Sequence, residues 1–176
     1  QFSMSTGKID HHWCSEPDDG HYAAVNKGFK KATGDIFAWL NSDDLFYPWT
    51  LKTVGSVFTQ LPEVQWLTTL TRLHWDEQGY CTEAGHCPGF SKEAFLNGIN
   101  RPWDGTWPIQ QESTFWRRSL WDQAGGINLE FQLAGDFDLW TRFFRTTDLY
   151  GLNSPLGGFR RHKNQRSHQV KQYRQE

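Results

Sequence analysis

The sequence predicts an α/β fold in which a mixed sheet is flanked by helices. Helical and strand-like patterns alternate along the chain, which favours sheet-and-helix layers over an all-α or all-β build. Ile36 to Leu40 is a short, continuously apolar run of the kind buried inside a parallel sheet. No repeat or low-complexity stretch interrupts the pattern. At 176 residues the simplest organisation is one domain, residues 1–176, large enough to bury a core.

Residues 1–14 read as a polar leader, and Pro17-Asp18-Asp19-Gly20 marks a turn. Tyr22, Val25, Phe29 and Ala32 then recur at helical spacing, with Gly34 where a C-cap belongs. The strand Ile36–Leu40 follows. Pro48 suits the first turn of a helix running to about Gln60. Val64 to Leu73 is β-prone and leads into Asp76-Glu77-Gln78-Gly79, a hairpin turn followed by Tyr80-Cys81-Thr82. Residues 84–108 form a long irregular connection with one short helix around Ser91–Asn97. Ser113 to Trp116 reads as a strand, and Arg118 to Ala124 as a helix stopped by Gly125-Gly126. A helix over Phe137–Arg145 and short strands at Leu149–Leu152 and Leu156–Phe159 complete the pattern. A basic tail, 160–176, carries Arg160, Arg161, Lys163, Arg166, Lys171 and Arg174.

Bulk properties narrow the function. The net charge of −2 and a pI near 6.4 give no field that would draw nucleic acid. Ten Trp and 13 Phe beside a mean hydropathy of −0.71 point to core filling first and ring stacking against sugars or bases second. Cys14, Cys81 and Cys87 make an odd count without scaffold spacing, so a reducing compartment is favoured. The cysteines near His74 and His86 match no strong zinc signature. No apolar run reaches the length of a membrane span and the N-terminus lacks a signal-peptide pattern, so a cytoplasmic protein is expected. The basic tail reads as a solvated helix, with contact to anionic lipid at the membrane periphery as the alternative.

Three constellations can carry chemistry. Ala38-Trp39-Leu40-Asn41-Ser42-Asp43-Asp44 is an apolar run ending in adjacent carboxylates. Two like charges side by side invite a cation, and a hard divalent metal that bridges to phosphate meets that need at the carboxyl end of a strand. The same residues would also make an ordinary acidic turn, with Ser42 or Asp43 capping the next helix. In Gly135-Asp136-Phe137-Asp138-Leu139-Trp140, two acids open a helix, where the dipole favours them. A carboxylate fixed there can act as a general base towards a hydroxyl, one acid working while the other caps. In Gly157-Gly158-Phe159-Arg160-Arg161-His162 a histidine follows a short strand, either as a surface residue or as a metal ligand paired with a distant carboxylate.

Taken together, these stretches resemble the inverting glycosyltransferases of family 2, which have the GT-A nucleotide-sugar fold. The matching segments are Ser15-Glu16-Pro17-Asp18-Asp19-Gly20-His21-Tyr22, Asn26-Lys27-Gly28-Phe29, Ala32-Thr33-Gly34-Asp35-Ile36 and Trp39 to Asp44. Ile109 to Arg118, Ala124-Gly125-Gly126, Gly135 to Trp140 and Gly157 to His162 continue the series in the same order. The resemblance implies a truncated, Rossmann-like GT-A sheet and a set of roles. Asp43 would bind Mg2+ or Mn2+ and the donor, with His162 as the second metal ligand. Asn41 stands where the family has the first acid of its Asp-x-Asp motif and would hydrogen-bond ribose or sugar. Tyr22 and Asn26 would border the nucleotide. Gln110, Gln111 and Glu112 would form the loop near the donor sugar and acceptor. Asp136 would be the catalytic base, with Gly135 replacing the Glu that usually precedes it.

The implied partners are a nucleotide-sugar donor and a carbohydrate or lipid-linked acceptor, in surface-polysaccharide assembly. Only Gln1 to Cys14 precede the resemblance, fewer than the roughly 30 residues of a βαβ unit. The chain is therefore expected to correspond to the later two-thirds of the catalytic domain. Exposed strand edges would favour a homo-oligomer. A non-catalytic carbohydrate- or nucleotide-binding module is the alternative reading, supported by Asn41 and by the Trp-rich region 103–121. A purely structural oligomerising domain is a third.

Overall fold

Aromatic side chains organise the molecule. A computed structural model describes residues 11–99, 107–163 and 165–176. The first sheet has four strands in the order β1-β6-β3-β7, built from β1 (Ile36–Phe37), β3 (Trp66–Thr69), β6 (Phe115–Arg117) and β7 (Tyr150–Leu152). Trp66 pairs with Trp116 and Leu67 with Phe115 in the antiparallel β3–β6 register. Side chains alternate across a strand, so the two Trp enter one core and Leu67 and Phe115 the other. The larger core is closed by α1 (His21–Lys31), α4 (Arg118–Ala124) and α5 (Gly135–Thr146), through Phe29, Trp121, Leu139, Trp140 and Phe143. On the opposite face α2 (Thr50–Gln60) contributes Val54 and Phe58. Trp66, Trp116 and Trp140 are fully buried, so these indoles fill the core.

The second sheet has the order β2-β8-β4-β5, from β2 (Leu45–Phe46), β8 (Gly157–Arg160), β4 (Thr71–Trp75) and β5 (Cys81–His86). The expected single mixed sheet is thus two mixed sheets. Their parallel pairs are β3 with β7 and β4 with β8. The β-prone run Val64–Leu73 splits at Leu70, whose N–H bonds Leu152 and whose carbonyl accepts from Cys87. Gly151 makes room there, because a Cβ on it would meet Leu70 Cδ2 at 2.4 Å.

Several expectations are met closely. The Asp76–Gly79 turn joins β4 to β5 as a hairpin, with Asp76 Oδ1 accepting from the N–H groups of Gln78 and Tyr80. The short helix α3 (Lys92–Leu96) is capped by Ser91 Oγ, which accepts from Ala94 N–H. Helix α4 ends at Gly125 in the left-handed region, φ 79°.

Others are corrected. The apolar run Ile36–Leu40 is a strand only over Ile36–Phe37, and it pairs antiparallel to β6. Trp39 leaves the ladder to stack on Trp140 and meet Trp116 edge-on. Helix α1 is capped at Ala32, not Gly34, since the Ala32 N–H reaches Gly28 O and Phe29 O while its backbone turns extended. The tail forms a 3-10 turn, Arg166–His168, and a helix α6 (Val170–Gln175) that packs back onto the domain. The start of the leader, the stretch 100–106 of the long connection and residue 164 lie outside the described residues.

Candidate functional site

The turn after β1 is the centre of the site. The Asp44 N–H donates to Asn41 O at 3.1 Å and closes it, and β2 follows at once. β2 pairs antiparallel with β8, Leu45 against Gly158. That pairing carries Arg160 and His162 to the turn from the far end of the chain. His162 Nε2 lies 2.9 Å from Asp43 Oδ2, across 119 residues of sequence. Both side chains are about one-third exposed and so reachable from solvent.

Asp44 faces the other way. Its Oδ1 accepts the Arg160 N–H at 3.0 Å and its Oδ2 the Asn41 amide at 3.2 Å. Burial raises its pKa, against the lowering effect of those two donors. The Arg160 guanidinium donates to Asp43 O, 2.9 Å, and Glu77 O, 3.1 Å. Asp44 therefore fastens the turn to β8, and Asp43 keeps a free outlook.

The loop ahead of β6 is stitched to the same turn. Gln111 Nε2 donates to Trp39 O at 2.5 Å, and Gln111 Oε1 accepts from Asn41 Nδ2 at 3.0 Å. Glu112, on the 3-10 turn Gln111–Ser113, is 3 % exposed. Burial, together with the negative charges of Asp44 and Asp136, pushes its carboxyl up to about 8. Among the described residues Asn41 Oδ1, Gln110 Oε1, Glu112 Oε1 and Ser113 Oγ are buried without a hydrogen-bond partner. Buried acceptors are normally satisfied, so this cluster of orphans is suited to a ligand rich in hydroxyl donors. Gly157 lets the loop sit this close, since a Cβ on it would lie 2.5 Å from Glu112 O.

Asp136 stands at the start of α5, half-buried. Its Oδ1 accepts from the Phe137 N–H at 2.8 Å and from the Tyr173 hydroxyl at 3.2 Å. Burial raises its pKa, and those two donors with Arg166 pull the other way. Asp138 is engaged elsewhere, its Oδ2 taking two bonds from Arg142 at 3.0 and 2.7 Å. Arg142 also donates to the carbonyls of Ala124 and Gly126 and so ties α5 to the end of α4.

Tyr22 and Asn26 hold the loop that delivers Asp136. Tyr22 Oη donates to Leu133 O at 2.5 Å and accepts the Gly135 N–H at 3.1 Å. The Asn26 amide bonds both the carbonyl, 2.9 Å, and the N–H, 3.0 Å, of Ile127. The place of a side chain at 135 is filled by the Tyr22 ring, because a Cβ there would lie 2.6 Å from Tyr22 Cε2. That accounts for Gly135 directly before the acid.

The fold thus gathers Asn41, Asp43, His162, Gln110, Gln111, Glu112 and Asp136 around one region. Glu112 feels both Asp44 and Asp136, and His21 at the start of α1 feels both Asp43 and Arg166. Sequence reasoning missed Gln165, Arg166, Tyr173 and Glu176, since the tail signalled only positive charge. Among the described residues no group of three or more His, Cys, Asp or Glu has metal-holding geometry. One carboxylate and one imidazole fit a Mg2+ or Mn2+ whose remaining ligands come from phosphates and water, rather than an all-protein cage. The cysteines at 14, 81 and 87 are free. No helix among the described residues is long and apolar enough to cross a membrane.

Comparison with known proteins follows the same lines. Residues 12–65 match the profile of glycosyl transferase family 2. An uncharacterized glycosyltransferase of Mycobacterium tuberculosis is 30% identical over 128 residues, covering 71% of this chain and 44% of that protein. One from Rickettsia conorii is 23% identical over 159 residues, covering 88% of this chain and 25% of its own length. The chain thus spans less than half the length of these curated relatives. Among solved structures, S. aureus TarS 1–349 in complex with UDP-GlcNAc superposes with a TM-score of 0.60 at 14% identity, covering 84% of this chain and 41% of that one. That likeness shows a shared GT-A fold.

Proposed function

This chain belongs to glycosyltransferase family 2, and from that premise we propose that it transfers a sugar from a nucleoside diphosphate sugar to an acceptor hydroxyl with inversion at the anomeric carbon. The observation that carries the reading is the meeting of Asp43 and His162 at 2.9 Å, on the region that Glu112 links electrostatically to Asp136. Asp43 and His162 would hold Mg2+ or Mn2+ on the donor diphosphate. When bound, the cation supplies charge neutralisation for the departing diphosphate.

The protein's own groups account for the remaining steps. Asp136 takes the proton of the acceptor hydroxyl as that oxygen bonds to the anomeric carbon. The bond from that carbon to the diphosphate oxygen breaks, and the electron pair leaves with the nucleoside diphosphate. Asn41 Oδ1, Gln110 Oε1 and Glu112 Oε1 offer buried acceptors for sugar hydroxyls. Gln111 fixes the spacing between that loop and the Asp43 turn. A surface polysaccharide or its lipid-linked precursor is the acceptor class we propose, and pairing of exposed strand edges is the proposed route to a homo-oligomer.

The test is calorimetric titration of UDP-, GDP- and dTDP-sugars with Mn2+, followed by donor hydrolysis in the parent and in Asp136→Asn. TarS was crystallised with UDP-GlcNAc, so a UDP-sugar is the first donor to try. Binding with metal-dependent hydrolysis that Asp136→Asn abolishes is expected. Binding without hydrolysis in either protein would replace the enzyme with a sugar-nucleotide-binding module.

A further inference from the structure

The segment 165–176 is tied down at both ends of the site. Beside His162, Gln165 Oε1 accepts the His162 N–H at 3.2 Å and Gln165 Nε2 donates to Arg160 O. Gln165 is 8 % exposed, an unusual burial for a residue in a polar tail. Arg166 donates to Gln132 O and lies over the Tyr22 ring, its guanidinium carbon 5.9 Å from the centroid. At the far end Glu176 Oε2 accepts three successive backbone N–H groups, of Gln132 at 3.1 Å, Leu133 at 2.8 Å and Ala134 at 2.9 Å. Desolvation raises its pKa, and the three backbone donors together with Gln172 outweigh it and hold the carboxylate below the usual range.

Between those anchors, the Tyr173 hydroxyl donates to Asp136 Oδ1. The Phe137 N–H bonds the same oxygen. Both of these bonds fall on Oδ1, one from the backbone of α5 and one from the tail. A carboxylate held through one oxygen presents the other in a fixed direction, which is what a base needs before an acceptor arrives.

We propose that the segment 165–176 is part of the active site and that Tyr173 is a positioning residue for Asp136, turning its Oδ2 towards the acceptor hydroxyl. This rests on the reading of Asp136 as the base. The charged and titratable groups around Asp136 are Tyr22 on α1, Glu112 on the 3-10 turn before β6, and Arg166, Tyr173 and Glu176 on the segment itself. Asp138, on the same helix, is taken by Arg142. Of these groups, Tyr173 alone donates a side-chain hydrogen bond to Asp136, so its removal has a defined sign. The ionised carboxylate loses a donor and its pKa rises further.

The experiment is a carbon-13 carboxyl NMR titration of Asp136 in the full chain, assigned with Asp136→Asn, in the parent, Tyr173→Phe and Glu176→Gln. A pH profile of donor hydrolysis runs beside it. In Tyr173→Phe, Asp136 should titrate at higher pH than in the parent. The acid limb of hydrolysis should move the same way, turnover there falling about tenfold with the donor KM unchanged, the size expected for one hydrogen bond to a charged group. Glu176→Gln loosens the anchor and should shift both in the same direction by less. An Asp136 titration that neither variant moves overturns the inference while leaving the base untouched. Hydrolysis that survives Asp136→Asn removes the base reading and the inference with it.

Discussion

Gly135→Ala sets two physical effects of opposite sign against each other. At a helix position an Ala in place of Gly stabilises by about 0.4–1 kcal/mol, because the unfolded chain loses freedom. Gly135 opens α5 and is absent from the glycines with positive φ, so its backbone does not resist the change. Its surroundings do. The added Cβ would lie 2.6 Å from Tyr22 Cε2, 2.9 Å from Tyr22 Cδ2 and 2.9 Å from Ile127 Cγ2. The ring cannot swing aside cheaply, being 7 % exposed and pinned through its hydroxyl to Leu133 O and the Gly135 N–H. Overpacking of this kind costs about 1–3 kcal/mol. The net expectation is a loss of about 1 kcal/mol, or roughly 2–4 °C in Tm for a chain of this size. Thermal unfolding by circular dichroism reads it, in the parent and in a Tyr22→Leu background, where the smaller side chain should relieve much of the cost. A Tm that rises in the parent, or an equal penalty in both backgrounds, would show that the Tyr22 contact does not set residue 135.

Two further outcomes follow from the site's supports. Asn26→Ala strips both bonds from Ile127 and leaves a part-buried N–H and carbonyl unpaired, so stability should drop by about 1–3 kcal/mol in urea unfolding, and a change below about 0.5 kcal/mol would refute the clamp. Glu112 has a folded pKa of about 8, above its ordinary value near 4.5, so its contribution to stability is complete below that ordinary value and is lost as pH rises through about 8. Glu112→Gln should therefore match the parent near pH 5 and exceed its Tm by several degrees near pH 9; parallel pH curves would contradict the buried, neutral carboxyl.

Local chemistry made much of the fold legible. Gly125-Gly126 after a helical pattern placed the end of α4, and Asp76 to Gly79 placed the β4–β5 hairpin, because each device acts within a few residues. Ile36–Leu40 misled because continuous apolarity marks burial without saying whether a ladder or a packed aromatic causes it. Trp39 is buried against Trp116 and Trp140, whose positions depend on tertiary packing. Likewise Val64–Leu73 reads as one run, yet the Leu70 backbone is divided between Leu152 and Cys87. At the site, the resemblance named the residues that converge on the Asp43 turn. It did not say that Tyr22 and Asn26 would spend their polar atoms on Leu133, Gly135 and Ile127, at separations of 101 to 113 residues. Nor could charge counting show that a basic tail sends its one glutamate onto three amides.

The adjacent acids at 43 and 44 also limit how this protein can change over time. Both sit in the turn that the Asp44 N–H closes onto Asn41 O, directly ahead of β2, so the pairing of β2 with β8 sets what each carboxylate meets. Asp43 meets His162 and Asp44 is fastened to the Arg160 backbone. Inserting or deleting a single residue between Asn41 and Phe46 would shift the two acids against His162 and Arg160 and break both contacts, while leaving the composition nearly intact. Diversification near Asp43 must therefore proceed by exchanging side chains, with the chain length between β1 and β2 held constant.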